Sequence, residues 1–292
     1  MIKKMNQDSI TNRYQIIKQI GKGGQGTVLL ALSKSTGQEV AIKIISLTPS
    51  NRDNAIQEIS AIKSISNPNC VPYVACYYDS FYDPSTNQVV IEMEYVRGPN
   101  IAEYTQSLRN TGNRELLILT TKLLLKAMLI GLKFIHSHNI IHNDVKPNNI
   151  VVNSNKVPVL VDFGISCFTQ ESITPACTQP YGKVVGNCCN SMAGTSIYLP
   201  PEAIRGVRYD SSDLWSLGAT AYEIMSGLNI WNLDVAMYDP MGLLQAVANK
   251  IKTGTQPNKL NSGDTNLDAV VNGFLVYDPS ARISINQALM ML

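Results

Sequence analysis

Ile140-Ile-His-Asn-Asp-Val-Lys-Pro-Asn-Asn-Ile-Val-Val152 sets a polar knot of His142, Asn143, Asp144, Lys146 and Asn149 between two apolar runs. Apolar flanks of this kind are drawn into a core. A charge carried in with them is costly unless it is paired or used. Asp144, Lys146 and Asn149 form a set that can hold a hydroxyl proton, neutralise a phosphate and bind a divalent cation. What the set does depends on its surroundings.

Upstream of the knot, Arg114 to His138 is a long apolar helical stretch. Its Lys122, Lys126 and Lys133 suit a buried helix better than a membrane span. Downstream, Val157 to Val161 reads as a buried strand that ends in Asp162-Phe163-Gly164, eighteen residues beyond Asp144. Ser166 to Ala193 has no periodicity and is rich in Thr, Gly, Pro, Gln and Cys, which predicts a long exposed loop. It closes on Gly194-Thr195-Ser196-Ile197-Tyr198-Leu199-Pro200-Pro201-Glu202. Tyr209 to Gly227 predicts a helix containing Asp213-Leu214-Trp215-Ser216-Leu217-Gly218, and Tyr277-Asp278-Pro279-Ser280-Ala281-Arg282 follows near the end. Asn229 to Gly263 is assigned only to helices and loops.

The first third of the chain has a different texture. Met1 to Asn12 is a polar lead-in. Arg13 to Ile20 alternates Tyr14, Ile16 and Ile20 with polar residues, as a strand does. Gly21, Gly23, Gly24 and Gly26 follow, then a second strand from Thr27 to Leu32, a turn at Ser35-Thr36-Gly37-Gln38 and a third strand from Glu39 to Ile45. The glycines therefore lie in a hairpin. They do not lead into a helix, as in a dinucleotide-binding fold, and they lack the Gly-Lys-Ser/Thr of a P-loop. Asn51 to Ile65 predicts a helix, with Ile56, Ile59, Ile62 and Ile65 at steps of three and Glu58 among them. Pro68 to Phe81 and Gln88 to Val96 predict two more strands, joined by a turn at Asp83 to Asn87.

In this order and spacing the motifs resemble those of eukaryotic-type protein kinases, over about residues 13 to 289. They comprise the glycine hairpin, Val40-Ala41-Ile42-Lys43, Asp-x-Lys-x-x-Asn, Asp-Phe-Gly, Gly-Thr-x-x-Tyr-x-x-Pro-Glu and Asp-Pro-x-x-Arg. The resemblance implies an α+β, bilobal fold: a small antiparallel β-sheet lobe with one helix (13–97), then a larger, mainly α-helical lobe (98–292). It also implies an ATP- and Mg²⁺-dependent enzyme acting on protein substrates.

By the same resemblance each residue acquires a role. Gly21, Gly23 and Gly26 would close over phosphates, while Lys43, paired with Glu58, would hold the α- and β-phosphates. Val28, Ala41 and Val151 would sandwich the adenine. Met93 would be the gatekeeper, and the backbones of Glu94 and Val96 would bond the adenine edge. Asn149 and Asp162 would bind Mg²⁺. Asp144 would orient the substrate hydroxyl and take its proton, with Lys146 near the γ-phosphate. Lys146 and Thr195 look like the Ser/Thr pattern rather than the tyrosine one. Arg282 typically pairs with the equivalent of Glu202, His142 would brace the loop, and His136 and His138 are packing or surface residues.

One departure stands out. The usual His-Arg-Asp is His142-Asn143-Asp144 here. The family's arginine pairs with a phosphate on the activation segment, and Asn143 carries no charge, so activity is expected not to depend on that clamp. This change and Gln25 at the glycine-loop tip keep a second reading open, a pseudokinase scaffold that binds nucleotide or partners without phosphoryl transfer.

Composition fits either reading. The chain has 292 residues, 45% hydrophobic and 16% charged, with a formal net charge of +2. That balance gives no footing for nucleic acid or a membrane surface as the main partner. No apolar leader opens the chain, and the six cysteines do not form a secreted-type framework, so a reducing, cytoplasmic setting is expected. Cys167, Cys177, Cys188 and Cys189 cluster in one loop, open to a zinc site, a redox switch or plain thiols. The chain stops soon after Arg282, leaving a short last helix that a regulatory partner would support.

Overall fold

A computed structural model describes residues 9–23, 26–66, 70–168 and 194–292. The chain divides into two compact units, Met1–Val96 and Arg97–Leu292.

The first unit is a five-stranded antiparallel sheet and one long helix. Strands β1 (Tyr14–Gly23), β2 (Gly26–Ser33), β3 (Glu39–Ser46), β4 (Tyr77–Asp83) and β5 (Gln88–Glu94) lie in the order β1-β2-β3-β5-β4. Val40, Ile42 and Val90 are almost wholly buried and pack with Tyr14 and Ala31. Alternation in β1 is not a burial pattern, however. Ile16 and Ile20 are exposed, because register shifts between Ile16 and Lys18 and between Gln19 and Gly21 twist this edge strand away from the core. Instead of an entirely loose lead-in, a short helix α1 (Ile10–Arg13) precedes β1, capped by Ser9.

Helix α2 (Arg52–Ile65) forms as expected, but its isoleucines do not share one face. Steps of three fall behind the 3.6-residue turn by about 60° each. Ile56 is consequently exposed, and the buried stripe is Ala55, Glu58, Ala61, Ile62 and Ile65. Glu58 faces inward. The strand expected from Pro68 begins only at Tyr77. Before it, Cys70 and Cys76 form a disulfide with their Cα atoms 5.3 Å apart, and Tyr73 takes a left-handed φ of 75°. A closed turn of this kind cannot run as extended strand, and it shows that the six cysteines are not all free.

The second unit is mainly helical: α3 (Ile101–Asn110), α4 (Arg114–Ser137), α5 (Asp210–Ser226), α6 (Pro240–Lys252), α7 (Thr265–Phe274) and α8 (Ile285–Met291). Leu124, Leu125, Met128, Leu129, Leu132 and Ile135 of α4 are fully buried, as are Trp215 and Leu217 of α5 and Phe274 of α7. No described helix is long and apolar enough to cross a membrane. Short strands β6 (Ile140–Ile141), β7 (Ile150–Val152), β8 (Pro158–Leu160) and β9 (Cys167–Phe168) pair as β6-β9 and β7-β8. The polar knot lies between β6 and β7; β7 and β8 form a hairpin, and β6 pairs with the later β9. The remainder of the loop read from Ser166 to Ala193, with Cys177, Cys188 and Cys189, lies outside the described residues apart from its first three residues, as do Gly24 and Gln25.

Candidate active site

In the first unit β3 carries Ala41 and Lys43 on one face, two residues apart. Ala41 stands opposite Met93 of β5 and Lys43 opposite Val28 of β2. Lys43 Nζ donates to Glu58 Oε1 at 2.6 Å, and both residues are only 3% exposed. An ammonium held this deep needs its carboxylate, since an uncompensated buried charge is costly. The Glu94 backbone N–H donates to the Cys76 carbonyl at 2.7 Å, and the Cys76 N–H donates back to Glu94 Oε2 at 3.2 Å. Val96, two residues beyond, is buried.

The glycines of the hairpin are not equivalent. Gly26 has φ 138°, and a Cβ there would collide with the Ile44 carbonyl. Glycine is needed for the backbone itself. A Cβ on Gly23 would meet nothing within 4 Å, and one on Gly21 only the Val28 side chain. Beside Gly23 the fold leaves open space, whereas a Cβ on Gly21 would sit in ordinary contact with Val28.

In the second unit the knot is hung from Asp213. This residue, 1% exposed, accepts the His142 N–H on Oδ2 at 2.9 Å and the Asn143 N–H on Oδ1 at 2.9 Å, while His136 Nε2 lies 2.8 Å from Oδ2. Burial pushes the Asp213 carboxyl up. The bond and charge of His136, with the charge and backbone bond of His142, outweigh it and hold the carboxyl below the usual aspartate range. His142 is fully buried, and burial pushes its imidazole below the ordinary value. Its Nδ1 accepts from the Asp144 N–H at 3.3 Å, and its ring packs edge-on against Phe163 at 4.8 Å.

These supports bring four polar side chains together. Lys146 Nζ donates to Asp144 Oδ2 at 2.7 Å and to Thr195 Oγ1 at 2.8 Å, and Thr195 Oγ1 donates to Asp144 Oδ1 at 3.2 Å. Asn149 Nδ2 donates to the Asp144 carbonyl and to Asp144 Oδ2, both at 2.9 Å. The Asn149 nitrogen is thus committed to the carbonyl and carboxylate of Asp144. Asp162 follows β8 at φ 63°, with Oδ1 accepting the Gly164 N–H at 3.2 Å. Val151 sits on β7, paired with Val159 and bridged to Asn100.

Asn143 has a part that the sequence did not disclose. At φ 66° it directs its side-chain amide to the Ile165 carbonyl and to Cys167 Sγ, each at 3.0 Å. His136 was expected to be a packing or surface residue, yet it bonds Asp213. Only the Asp-x-Trp motif pointed towards that hub. Glu202 and Arg282 form a two-bond pair at 2.7 Å each, the Arg282 guanidinium standing 5.2 Å from the Trp215 ring.

Residues 14–291 match the protein kinase domain. The chain belongs to the protein kinase domain family. Among relatives, it is similar to a Dictyostelium discoideum protein named "Probable serine/threonine-protein kinase", 32% identical over 226 residues, covering 73% of this chain and 47% of that one. The MAP kinase kinase MKK1/SSP32 of Saccharomyces cerevisiae is 30% identical over 226 residues, covering 75% and 40%. The serine/threonine-protein kinase fray1 of Dictyostelium discoideum is 29% identical over 225 residues, covering 75% and 35%. This chain therefore matches less than half the length of each of these relatives.

Proposed function

We propose that this protein kinase chain transfers the γ-phosphoryl group of ATP to Ser and Thr hydroxyls of protein substrates, through one catalytic domain spanning residues 13–292. The observation that carries the reading is the cluster of Asp144, Lys146, Asn149 and Thr195. Phosphoryl transfer asks a protein mainly for positioning and charge neutralisation. Asp144 orients the incoming hydroxyl and accepts its proton. Lys146, already 2.7 Å from that carboxylate, balances its charge and reaches the γ-phosphate. Lys43, fixed by Glu58, holds the α- and β-phosphates. The open space beside Gly23 suits phosphate oxygens approaching backbone N–H groups.

Among the described residues no group of three or more His, Cys, Asp or Glu side chains forms a metal cage. One carboxylate and one amide oxygen, Asp162 and Asn149, fit Mg²⁺, which is commonly held by a few protein oxygens together with substrate phosphates. The bound ion neutralises phosphate charge. Val28, Ala41 and Val151 supply apolar surface for the adenine, with Met93 as gatekeeper and the backbones of Glu94 and Val96 as its polar edge. Ser/Thr rather than Tyr acceptors are favoured by Lys146 and by its bond to Thr195.

Incubation of the purified chain with ATP, Mg²⁺ and a basic protein substrate tests the reading. Phosphate appears on Ser or Thr, and Asp144→Ala removes it. Transfer that survives Asp144→Ala would sink the assignment, and no transfer with nucleotide still bound would favour the scaffold reading.

A further inference from the structure

The turn at residues 70–76 links two parts of the first unit that the proposed activity uses. It follows α2, which carries Glu58, and it leads into β4 beside the segment ending in Glu94 and Val96. Three hydrogen bonds tie its end. The Tyr77 N–H donates to Ser66 Oγ at 2.9 Å, at the C-terminal cap of α2. The Glu94 N–H donates to the Cys76 carbonyl, and the Cys76 N–H donates to Glu94 Oε2. The peptide groups on both sides of Cys76 are therefore fixed to the helix end and to Glu94.

Within this turn Tyr73 occupies a left-handed φ of 75°, a conformation that a bulky side chain disfavours. Something must hold it there. Cys70 and Cys76 bracket the turn with their Cα atoms 5.3 Å apart, inside the range that a disulfide spans. Cys70 is exposed and Cys76 is 5% exposed, so one sulfur is open to a reagent and the other is shielded.

We propose that Cys70 and Cys76 form a reversible redox switch that sets the rigidity of the backbone at Glu94 and, resting on the kinase reading above, the affinity for ATP. Oxidation proceeds by exchange with a low-molecular-weight disulfide such as oxidised glutathione. The Cys70 thiolate attacks one sulfur of the reagent and expels the first thiolate. The Cys76 thiolate then attacks Cys70 Sγ and expels the second. Two electrons pass to the reagent, one S–S bond is broken and one formed, and the two cysteine protons end on the released thiols. The closed ring holds the turn, and with it the Cys76 carbonyl that receives the Glu94 N–H. Reduction frees the turn to leave its left-handed conformation, and that carbonyl loses its fixed position.

The test uses the whole chain, equilibrated with oxidised or reduced glutathione. Peptide mapping without reductant should recover a Cys70–Cys76 linked peptide from the oxidised sample only. Amide hydrogen exchange should then show the Glu94 and Tyr77 N–H groups about tenfold less protected after reduction, because local opening follows the loss of the crosslink. Cys70→Ser should exchange like the reduced protein in both buffers, and Cys167→Ser should keep the full response. ATP should bind about threefold more weakly to the reduced form, as expected when a preorganised edge is loosened. No linked peptide, equal exchange in the two forms, or an undiminished response in Cys70→Ser would each overturn the switch. Exchange that responds while ATP affinity does not would overturn the coupling to nucleotide. Failure to bind ATP in either form, with exchange still responding, would overturn the same coupling and count against the kinase reading while leaving the disulfide chemistry standing.

Discussion

The side-chain amide of Asn143 reaches Cys167 Sγ at 3.0 Å and the Ile165 carbonyl at the same distance, tying the knot that contains Asp144 to the start of β9. Where an arginine would need a phosphate to complete such a connection, the amide makes it with groups that are always present. The link is short, neutral and independent of modification. Phosphatase treatment should therefore leave the proposed activity essentially unchanged, and so should alanine at every Ser and Thr of residues 166–191. Asn143→Ala should lower activity and destabilise the unit by about 1–2 kcal/mol, from the lost bonds and from a left-handed φ that Asn tolerates better than Ala. Asn143→Gly separates the two effects, since it relieves the backbone and still lacks the amide. Activity that vanishes on dephosphorylation would refute this reading.

Asp213 gives a pH dependence whose sign is fixed by its surroundings. Its folded-state pKa lies below the ordinary 3.8. A depressed carboxylate contributes stability at pH values above the unfolded value, and that stability is lost as pH falls towards and through the folded one. Asp213→Asn replaces an acceptor oxygen by an N–H₂ group facing donors from His142, Asn143 or His136. It should cost about 2–4 kcal/mol at pH 6, since bonds to a buried charge are among the stronger ones. Urea midpoints of the two proteins should converge below about pH 3.8, where the wild-type carboxylate loses its advantage. A gap that stays constant from pH 6 to pH 3 would contradict this origin.

How much of this was legible beforehand depends on the range of the interaction. Lys43, Asp144, Lys146, Asn149 and Asp162 stood out because each belongs to a short motif with fixed spacing. The sheet was legible because β2 and β3 are short, β-rich and separated by a turn. Asp213 was not, since its partners His142 and Asn143 are 71 and 70 positions away and its own motif does not reveal them. Nor was the inward stripe of α2. The evenly spaced isoleucines drew attention, while Ala55 and Ala61, which actually line the buried face with Ile62 and Ile65, carry too little hydrophobic signal. The run from Pro68 looked extended because it is rich in Val, Tyr and Cys. A turn closed by two of those cysteines overrides that preference.

Arg282 and Glu202 make a buried pair whose loss should be felt as stability rather than chemistry. The guanidinium also donates to the Val276 and Ser211 carbonyls. Arg282→Ala leaves a carboxylate that is 7% exposed without its cation, at a cost of about 3–5 kcal/mol. A fall of roughly 10 °C in the melting temperature should follow. Arg282→Lys should be intermediate, because an ammonium cannot reproduce the two parallel bonds. A loss under about 1 kcal/mol for the alanine variant would place the pair with ordinary surface ion pairs instead.

Lys43 and Glu58 pose the opposite case, a buried pair proposed to serve both fold and reaction. Lys43→Met should abolish phosphate transfer and also destabilise the first unit by about 3 kcal/mol, by leaving the Glu58 carboxylate buried without its cation. Adding Glu58→Leu should recover most of that stability, since well-packed apolar side chains can replace a buried ion pair at little cost. It should recover none of the transfer, because phosphate oxygens still lack their cation. Thermal melts of the wild type, Lys43→Met and the double variant, read beside transfer to a basic protein, decide the matter. If stability and transfer return together in the double variant, Lys43 acts through the fold alone. If Lys43→Met is inactive and remains so when stability is restored, its part in the reaction is separate from its part in the core.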